Sequence, residues 1–358
     1  MNDIKRIFCL DIIRSIATIL VVLQHVSCVN AFHYNDVSIE WWWVSNFYDS
    51  ISRVCVPFFF LLTGALMLGI NYNYDSLAKF LYKRLSKIGF PLIGWSFIYT
   101  IYFSYWTGST INFYDFAKNL ISGQIPYAYH FWFLYTIFGL YLLLPVLNVF
   151  ICNASKSILN YFIICWFSFF SVFPLLELFD INLGVFMDVG SGYIGYLVLG
   201  YILRCKFVDI INSKKKIFFV LLIFVASFFF TMFSTYYLTI TNNGILNEFF
   251  YRYLSINVVI MAVCAMILML DLRFIKFFEK NNIRSAIVYF SSKLSFGVYL
   301  VHILVLAILD SGIIGFRLNG YEINPLVFIP ITTTAALIVS ALIVAGIRRV
   351  PFLKNLVP

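Results

Sequence analysis

Long apolar stretches recur along this sequence, and they constrain its fold more than any other feature. Most have the roughly 17 to 25 residues that a helix needs to cross a bilayer. With 62% hydrophobic and only 11% charged residues, the chain is not a soluble domain, since soluble domains are nearer a quarter charged. The sequence therefore predicts an all-α polytopic membrane protein with about ten transmembrane helices. The stretches lie near residues 8–28, 53–70, 88–106, 131–150, 157–175, 190–205, 217–238, 253–270, 293–310 and 325–347, and the sixth is short and glycine-rich.

The distribution of positive charge tests this count of spans. With a cytoplasmic N-terminus and alternating loops, 20 of the 25 lysines and arginines fall on the cytoplasmic side. Four fall on the outer side: Arg53, Lys118, Arg252 and Arg317. Membrane proteins concentrate Lys and Arg in cytoplasmic loops, and one missed span would invert every later loop. Both termini are therefore predicted to be cytoplasmic. The net charge of +9 reflects topology and contact with anionic lipid, so no nucleic-acid partner is predicted.

The first span, LDIIRSIATILVVLQHV (10–26), contains two residues that are unusual at membrane depth, Arg14 and His25. A charge there costs roughly 2.5–3.5 kcal/mol. Eleven helical steps turn about 1,100°, so both side chains leave one face, about 16 Å apart along the axis. Asp11, one turn before Arg14, is placed to pair with it. Two interpretations remain open: a polar path through the membrane, or a snorkelling arginine and a histidine packed between helices.

The two segments on the outer side, 29–52 and 107–130, hold polar and aromatic residues. The tryptophan run EWWW (40–43) is typical of an interfacial aromatic belt, and a stacking surface for a sugar is the alternative. The seven cysteines have no CxxC spacing and mostly lie in or beside apolar runs. They are interpreted as small apolar residues, and no metal site is predicted.

Five ordered segments make the sequence similar to the acyltransferase-3 family of membrane acyltransferases. The opening segment has the family's spacing of Arg, ten residues and His at Arg14 and His25. The resemblance covers nearly the whole chain and implies one transmembrane domain over residues 1–350, a short cytoplasmic tail at 351–358 and no extra soluble domain. The other matching segments are RVCVPFFFLLTGALML (53–68), KRLSKIGFPLIGWSFIY (83–99), HFWFLYTIFGLYLLLPVL (130–147) and KLSFGVYLVHILVL (293–306).

The resemblance also implies an activity and a location. Members of the family commonly move acetyl groups from cytoplasmic acetyl-CoA onto surface or lipid-linked sugars. This chain looks most like the stand-alone type that O-acetylates bacterial O-antigen or related glycans in the inner membrane. Acetyl-CoA is then a co-substrate, and no metal is expected. One subgroup of the family carries acidic residues where this chain has the apolar run WFLYTIFGLY, so no carboxylate there serves as a catalytic partner.

The candidate site residues follow from this expectation. His25 is suited to take the proton of a sugar hydroxyl as a general base, and a brief covalent acetyl relay stays open. Arg14 is suited to an anionic or carbonyl part of the donor, because its planar guanidinium stays charged. The remaining candidates are expected to contact substrate: Asp11 beside Arg14, then Lys83, Arg84 and Lys87 for the CoA phosphates, and His130 and Trp132 for the acceptor.

Several of these residues have a simpler explanation. The basic cluster at 83–87 is equally typical of positive-inside anchoring, and His130 of an interfacial polar residue. His302, in YLVH, is interpreted as a residue that orders helix packing. A transporter or flippase for a lipid-linked sugar is the alternative function, since buried charge and aromatic outer loops suit it as well. No internal repeat is visible in the sequence, which argues against a transporter.

Overall fold

The computed structural model describes residues 3–70, 77–181, 192–206, 213–313, 315, 317–318 and 323–358, and every regular element in these ranges is helical. The helices are α1 (Asp3–Ala31), α2 (Ile39–Ser52), α3 (Cys55–Met67), α4 (Leu77–Thr107), α5 (Phe113–Ser122), α6 (Trp132–Asn153), α7 (Lys156–Phe167), α8 (Ile194–Lys206), α9 (Lys214–Thr241), α10 (Ile256–Met269), α11 (Leu272–Phe277), α12 (Asn281–Tyr289), α13 (Ser295–Ser311) and α14 (Pro325–Arg349). Short helical turns cover Tyr129–Phe131, Ser168–Val172, Phe173–Phe179, Phe249–Tyr251, Phe290–Leu294 and Leu353–Leu356.

The predicted all-α polytopic membrane fold is confirmed. Eight helical stretches in the described ranges are long and apolar enough to cross a membrane. The other two predicted spans coincide with the long helix α4 and the shorter apolar helix α8. The eight stretches are Phe8–Ala31, Ile39–Met67, Tyr129–Asn153, Lys156–Phe179, Lys214–Thr241, Phe249–Met269, Asn282–Ser311 and Pro325–Arg349.

The segment 29–52 differs from the predicted outer loop, because most of it is the helix α2. Only residues 32–38 connect α1 to α2, which packs along α1. The Trp42 indole donates a hydrogen bond to the last carbonyl of α1, that of Ala31, at 3.0 Å. Trp42 is fully buried and its ring lies against Tyr34 and Tyr236, so it is a core residue rather than part of an interfacial belt.

The first helix occupies the centre of the bundle, where it contacts α2, α3, α13 and α14. Apolar residues along it, among them Ile13, Ala17 and Val22, are fully buried against these neighbours. Ile19 on this helix is exposed, but Arg14 and His25 each line a cavity between helices, so their polar side chains face other helices.

Helices α3 and α8 approach so closely that their backbones touch. A Cβ atom at Gly64 would lie 1.8 Å from the carbonyl oxygen of Leu197, and one at Gly200 would lie 1.9 Å from that of Leu61. Small residues allow this approach between membrane helices, where packing rather than hydrophobicity drives association. The contact fixes α3, which carries several residues of the site described below.

One end of the bundle, here called the basic end, carries Arg84, Lys87, Lys293 and Arg348; the opposite end is called the far end. The residues predicted as a short tail, 351–358, are docked on the basic end. The Trp95 indole donates a hydrogen bond to the Leu356 carbonyl at 2.9 Å, and the Arg348 guanidinium donates one to the Val357 carbonyl at 2.6 Å. Val357 is fully buried, so this segment forms part of the folded domain.

Candidate active site between the helices

Two cavities lie along α1, one at the level of each unusual residue. The larger, about 470 Å³, opens near the basic end and is called the basic cavity. The smaller, about 30 Å³, is lined by His25 and is called the histidine cavity. Arg14 lines the first and His25 the second, so the two residues occupy successive compartments on one face of the same helix.

The basic cavity concentrates positive charge. Among the described residues that line it there is no acidic side chain, whereas hydroxyl groups and five cations are present. Guanidinium and ammonium groups with hydroxyl donors form the kind of wall that binds phosphate groups. The cavity can therefore hold a polyanion. The cations are Arg14, Arg84, Lys87, Lys293 and Arg348, and the hydroxyls include those of Thr63, Tyr141, Ser291, Ser292 and Ser295.

The expected ion pair between Asp11 and Arg14 does not form. The Asp11 carboxylate instead accepts a hydrogen bond from the Ser291 hydroxyl at 2.7 Å, and Asp11 does not line the basic cavity. Ser291 belongs to a π-helical turn, Phe290–Leu294, a local irregularity that is frequent at functional sites. With Asp11 bound to this turn, the cationic head of Arg14 is left to the cavity.

The predicted cluster of phosphate-binding residues is only partly brought to the cavity. Arg84 and Lys87 line it, while Lys83 is exposed and lies outside the lining. Lys293 and Arg348, which sequence reasoning treated as loop cations, complete the wall. Their charge was visible in the sequence, but nothing local to either residue indicated that it turns inward.

The histidine cavity contains two further predicted residues, His130 and Trp132, beside His25. The Tyr129 hydroxyl lies 3.2 Å from Nδ1 of His25 and is placed to hold the imidazole in one orientation. A catalytic base generally needs such a third group to orient it. Sequence reasoning missed Tyr129, since a tyrosine at the start of a span is ordinarily an interfacial residue.

Three histidine rings from α1, the turn Tyr129–Phe131 and α13 gather at this depth. The ring centroids of His25 and His302 are 5.2 Å apart, those of His130 and His302 are 5.1 Å apart, and those of His25 and His130 are 6.3 Å apart. Within the described residues, no group of three or more His, Cys, Asp or Glu side chains is arranged to hold a metal ion.

Nitrogen atoms of this cluster are buried without a hydrogen-bond partner. Nδ1 of His302 donates to the Tyr299 carbonyl at 2.7 Å, and in the neutral ring this leaves the lone pair on Nε2. Nε2 of His302 has no partner, and neither ring nitrogen of His130 has one of ordinary geometry, although the ring lies close to the Leu300 backbone. Orphaned buried polar atoms are costly and call for an explanation, such as a role in chemistry or ligand binding.

Three rings separate the two cavities. Phe59, Phe133 and Tyr299 line both of them, and we call these residues the neck. The Tyr299 hydroxyl donates a hydrogen bond to the His130 carbonyl at 2.6 Å, which ties the neck to the histidine cluster. The basic cavity and the histidine cavity therefore adjoin at the neck.

Polar and aromatic contacts hold the far wall of the histidine cavity. The Gln24 amide contacts the Tyr253 hydroxyl at 2.8 Å and accepts a hydrogen bond from the Cys55 thiol at 2.9 Å. Trp132 stacks on Tyr253, with ring centroids 5.8 Å apart and planes at 22°. These contacts connect α1, α3, α6 and the segment just before α10 around His25.

A buried ion pair at the junction of α2 and α3 was also missed. Arg53 and Asp49 lie 2.7 Å apart, with side chains 7% and 0% exposed, and the guanidinium carbon lies 3.9 Å from the ring centre of Tyr251. Sequence reasoning counted Arg53 as an outer-loop cation. The i, i+4 spacing of Asp49 and Arg53 was the available signal, and it went unused because this segment was predicted as loop.

The chain was compared with known proteins. A family model described as an acyltransferase domain matches residues 7–345, which is nearly the whole chain. No curated protein and no solved structure gives a significant match. The matched range contains the three residues of the neck and every residue that lines the histidine cavity, and it contains those of the basic cavity except Arg348 and Pro358.

Proposed function

This chain belongs to the acyltransferase-3 family, and we propose that it transfers an acetyl group from cytoplasmic acetyl-CoA to a hydroxyl group of a surface or lipid-linked glycan. The membership makes it a membrane acyltransferase. The acetyl donor, the glycan acceptor, O-antigen or a related polysaccharide, and the bacterial inner membrane belong to the proposal. The observation that supports it is the adjacency of the basic cavity and the histidine cavity across the neck.

The donor would occupy the basic cavity. Coenzyme A carries phosphate groups at one end and the thioester at the other, so its charge suits a wall of five cations. Arg84, Lys87, Lys293 and Arg348 would hold the phosphates at the basic end, and Arg14 would lie deeper, nearer the thioester. With the basic end in the cytoplasm, the donor enters from the compartment in which acetyl-CoA is made.

His25 would act as the general base from the other side of the neck. Its imidazole takes the proton of the acceptor hydroxyl as the oxygen attacks the thioester carbonyl. The new C–O bond forms, the C–S bond breaks, and the proton passes to the departing thiolate. Proton transfer by a positioned side chain contributes about 10²- to 10⁴-fold to rate. Tyr129 orients the ring, and the acceptor would approach from outside past its partly exposed side chain.

The proposal is tested in bacterial cells that lack their own O-acetylation. The cells would express the chain, His25→Ala, Arg14→Ala or Lys214→Ala at equal protein level, and NMR of purified surface polysaccharide would report O-acetyl signals. We expect signals with the chain and with Lys214→Ala, whose exposed side chain lines neither cavity, and none with the other two variants.

A parallel measurement covers the case in which the host lacks the right glycan. Membranes containing the chain would receive acetyl-CoA labelled in the acetyl group, and label in any glycan or lipid-linked sugar would be counted. A chain that moves lipid-linked sugar without acetylating it would support the transporter instead. Equal signals from the chain and His25→Ala would remove His25 from the mechanism.

A further inference from the structure

The histidine cavity is small enough to discriminate among acyl groups. Its volume is about 30 Å³. A water-sized group needs roughly 10–15 Å³ of such volume, so about two fit. The carbonyl oxygen and the methyl group of an acetyl unit are two groups of this size. A longer acyl chain would need space that the cavity does not have.

The lining of the cavity combines polar and aliphatic side chains. Gln24 and the two histidines His25 and His130 supply the polar atoms, whereas Val21 and Val56 belong to the apolar wall. A thioester that enters through the neck would place its carbonyl within reach of these polar atoms. Its methyl group would then face the two valines.

Burial and restricted rotamers keep the side chains of the two valines in place. Val21 is 5% exposed and Val56 is 8% exposed, and both lie within helices. A β-branched side chain in a helix has one strongly preferred rotamer, so it cannot swing aside. The residue before Val56, Cys55, donates its thiol hydrogen to Gln24 at 2.9 Å, which holds α3 against α1 at this level.

We propose that the histidine cavity receives the acyl group of the donor and that Val21 and Val56 limit that group to two carbons. The inference rests on the proposed acyl transfer and adds specificity-determining residues to it. The bonds made and broken are unchanged: the acyl C–S bond breaks, the C–O bond forms, and the hydroxyl proton reaches the thiolate through His25.

The test compares donors of different length in one preparation. Inside-out membrane vesicles with the full chain and the host's lipid-linked glycan would receive acetyl-, propionyl- or butyryl-CoA labelled in the acyl group. Label released from the glycan fraction by mild alkali gives the rate for each donor. One methylene in an apolar pocket is worth about 10- to 200-fold in specificity, so the unchanged chain should prefer acetyl over propionyl by at least about 10-fold.

Substitutions that open or fill the wall should move this preference in opposite directions. We expect Val56→Ala and Val21→Ala each to raise the propionyl-to-acetyl rate ratio by about 10-fold or more. Val56→Ile should lower the acetyl rate, because it adds a methylene to a filled space. The matched control is Val22→Ala: Val22 is the neighbour of Val21 on α1, is fully buried and lines neither cavity, so its ratio should not change.

The propionyl-to-acetyl rate ratio is measured within one preparation, so it does not depend on how much of a variant folds. Equal use of butyryl-CoA and acetyl-CoA by the unchanged chain would overturn the inference. So would ratios in Val56→Ala and Val21→Ala that match the unchanged chain. Absence of label in glycan from every donor is a different result, because it would refute the proposed acyl transfer to that glycan and not the limit on acyl length.

Discussion

Substitution of Asp49 tests how much the buried ion pair contributes to the fold around His25. In Asp49→Asn the side chain keeps its size but loses the charge that faces Arg53 at 2.7 Å. The guanidinium then remains 7% exposed with no carboxylate at hydrogen-bond distance. Glu248 is 3.9 Å away and 51% exposed, so it is too distant and too solvated to replace Asp49.

The expected loss follows from the burial of both partners. Removing one member of a buried pair leaves an uncompensated charge and costs about 3–5 kcal/mol. The chain provides a matched control in Arg252 and Glu177, which are 2.8 Å apart but 54% and 44% exposed. Glu177→Gln should cost no more than about 1 kcal/mol, because exposed pairs contribute little. The two ion pairs have nearly the same N–O distance, so they differ mainly in how deeply they are buried.

The assay is thermal unfolding of the purified protein in detergent, followed by loss of the monodisperse peak. Asp49→Asn should lower the midpoint by clearly more than Glu177→Gln. The double variant Asp49→Asn/Arg53→Met should recover part of the loss, because it removes the stranded charge as well. Equal midpoints for Asp49→Asn and Glu177→Gln would refute the argument from burial.

Three further substitutions probe packing and the site. Gly64→Ala should prevent α3 from reaching α8 and so reduce the yield of folded protein. Gly139→Ala should leave the yield unchanged, because no neighbouring atom lies within 4 Å of the added Cβ. Equal yields of the two variants would contradict the close contact between α3 and α8. Tyr129→Phe should lower kcat/KM for acyl transfer by about 2- to 13-fold, which corresponds to the loss of a hydrogen bond worth about 0.5–1.5 kcal/mol. An unchanged kcat/KM would mean that the 3.2 Å contact between Tyr129 and His25 does not orient the imidazole. His302→Leu should raise the midpoint of thermal unfolding, because it removes a buried nitrogen without a partner, which costs about 1–3 kcal/mol. It should also lower the rate of acyl transfer. A gain in stability with full activity would mean that His302 serves only in packing.

The helices could be predicted from the sequence because hydropathy is a local property of each span. The segment 39–52 is the informative exception. Its core-facing side chains include Ser45, Asn46, Asp49 and Ser50, which are fully buried and polar, so the segment lacks the apolar periodicity that identifies a helix. Its helix is held by tertiary partners such as the Met232 carbonyl, which accepts a hydrogen bond from the Asn46 amide at 3.0 Å, and such partners are not apparent from a window of sequence.

The site was predictable to the extent that it lies on one helix. The spacing of Arg14 and His25 placed both on one face of α1, and the structure puts each beside a cavity. Residues contributed by distant helices were harder to find. Arg348 and His302 enter the site through the packing of α13 and α14 against α1, and no pattern near either residue encodes that contact.

The order of charged and neutral groups along α1 explains why Arg14 and His25 lie in different cavities. Arg14 has no carboxylate partner in the part of the chain that the structure describes, because Asp11 is held by Ser291. It shares the basic cavity with four other cations, and like charges in one cavity repel, so this compartment is most stable with an anion in it. Beyond the neck the groups are imidazoles, which can be neutral and need no counter-charge in a dry space. A ligand that is anionic at one end and uncharged at the reacting end matches this order of a cationic and a neutral cavity. A ligand that is charged along its whole length would pay a desolvation penalty on entering the neck.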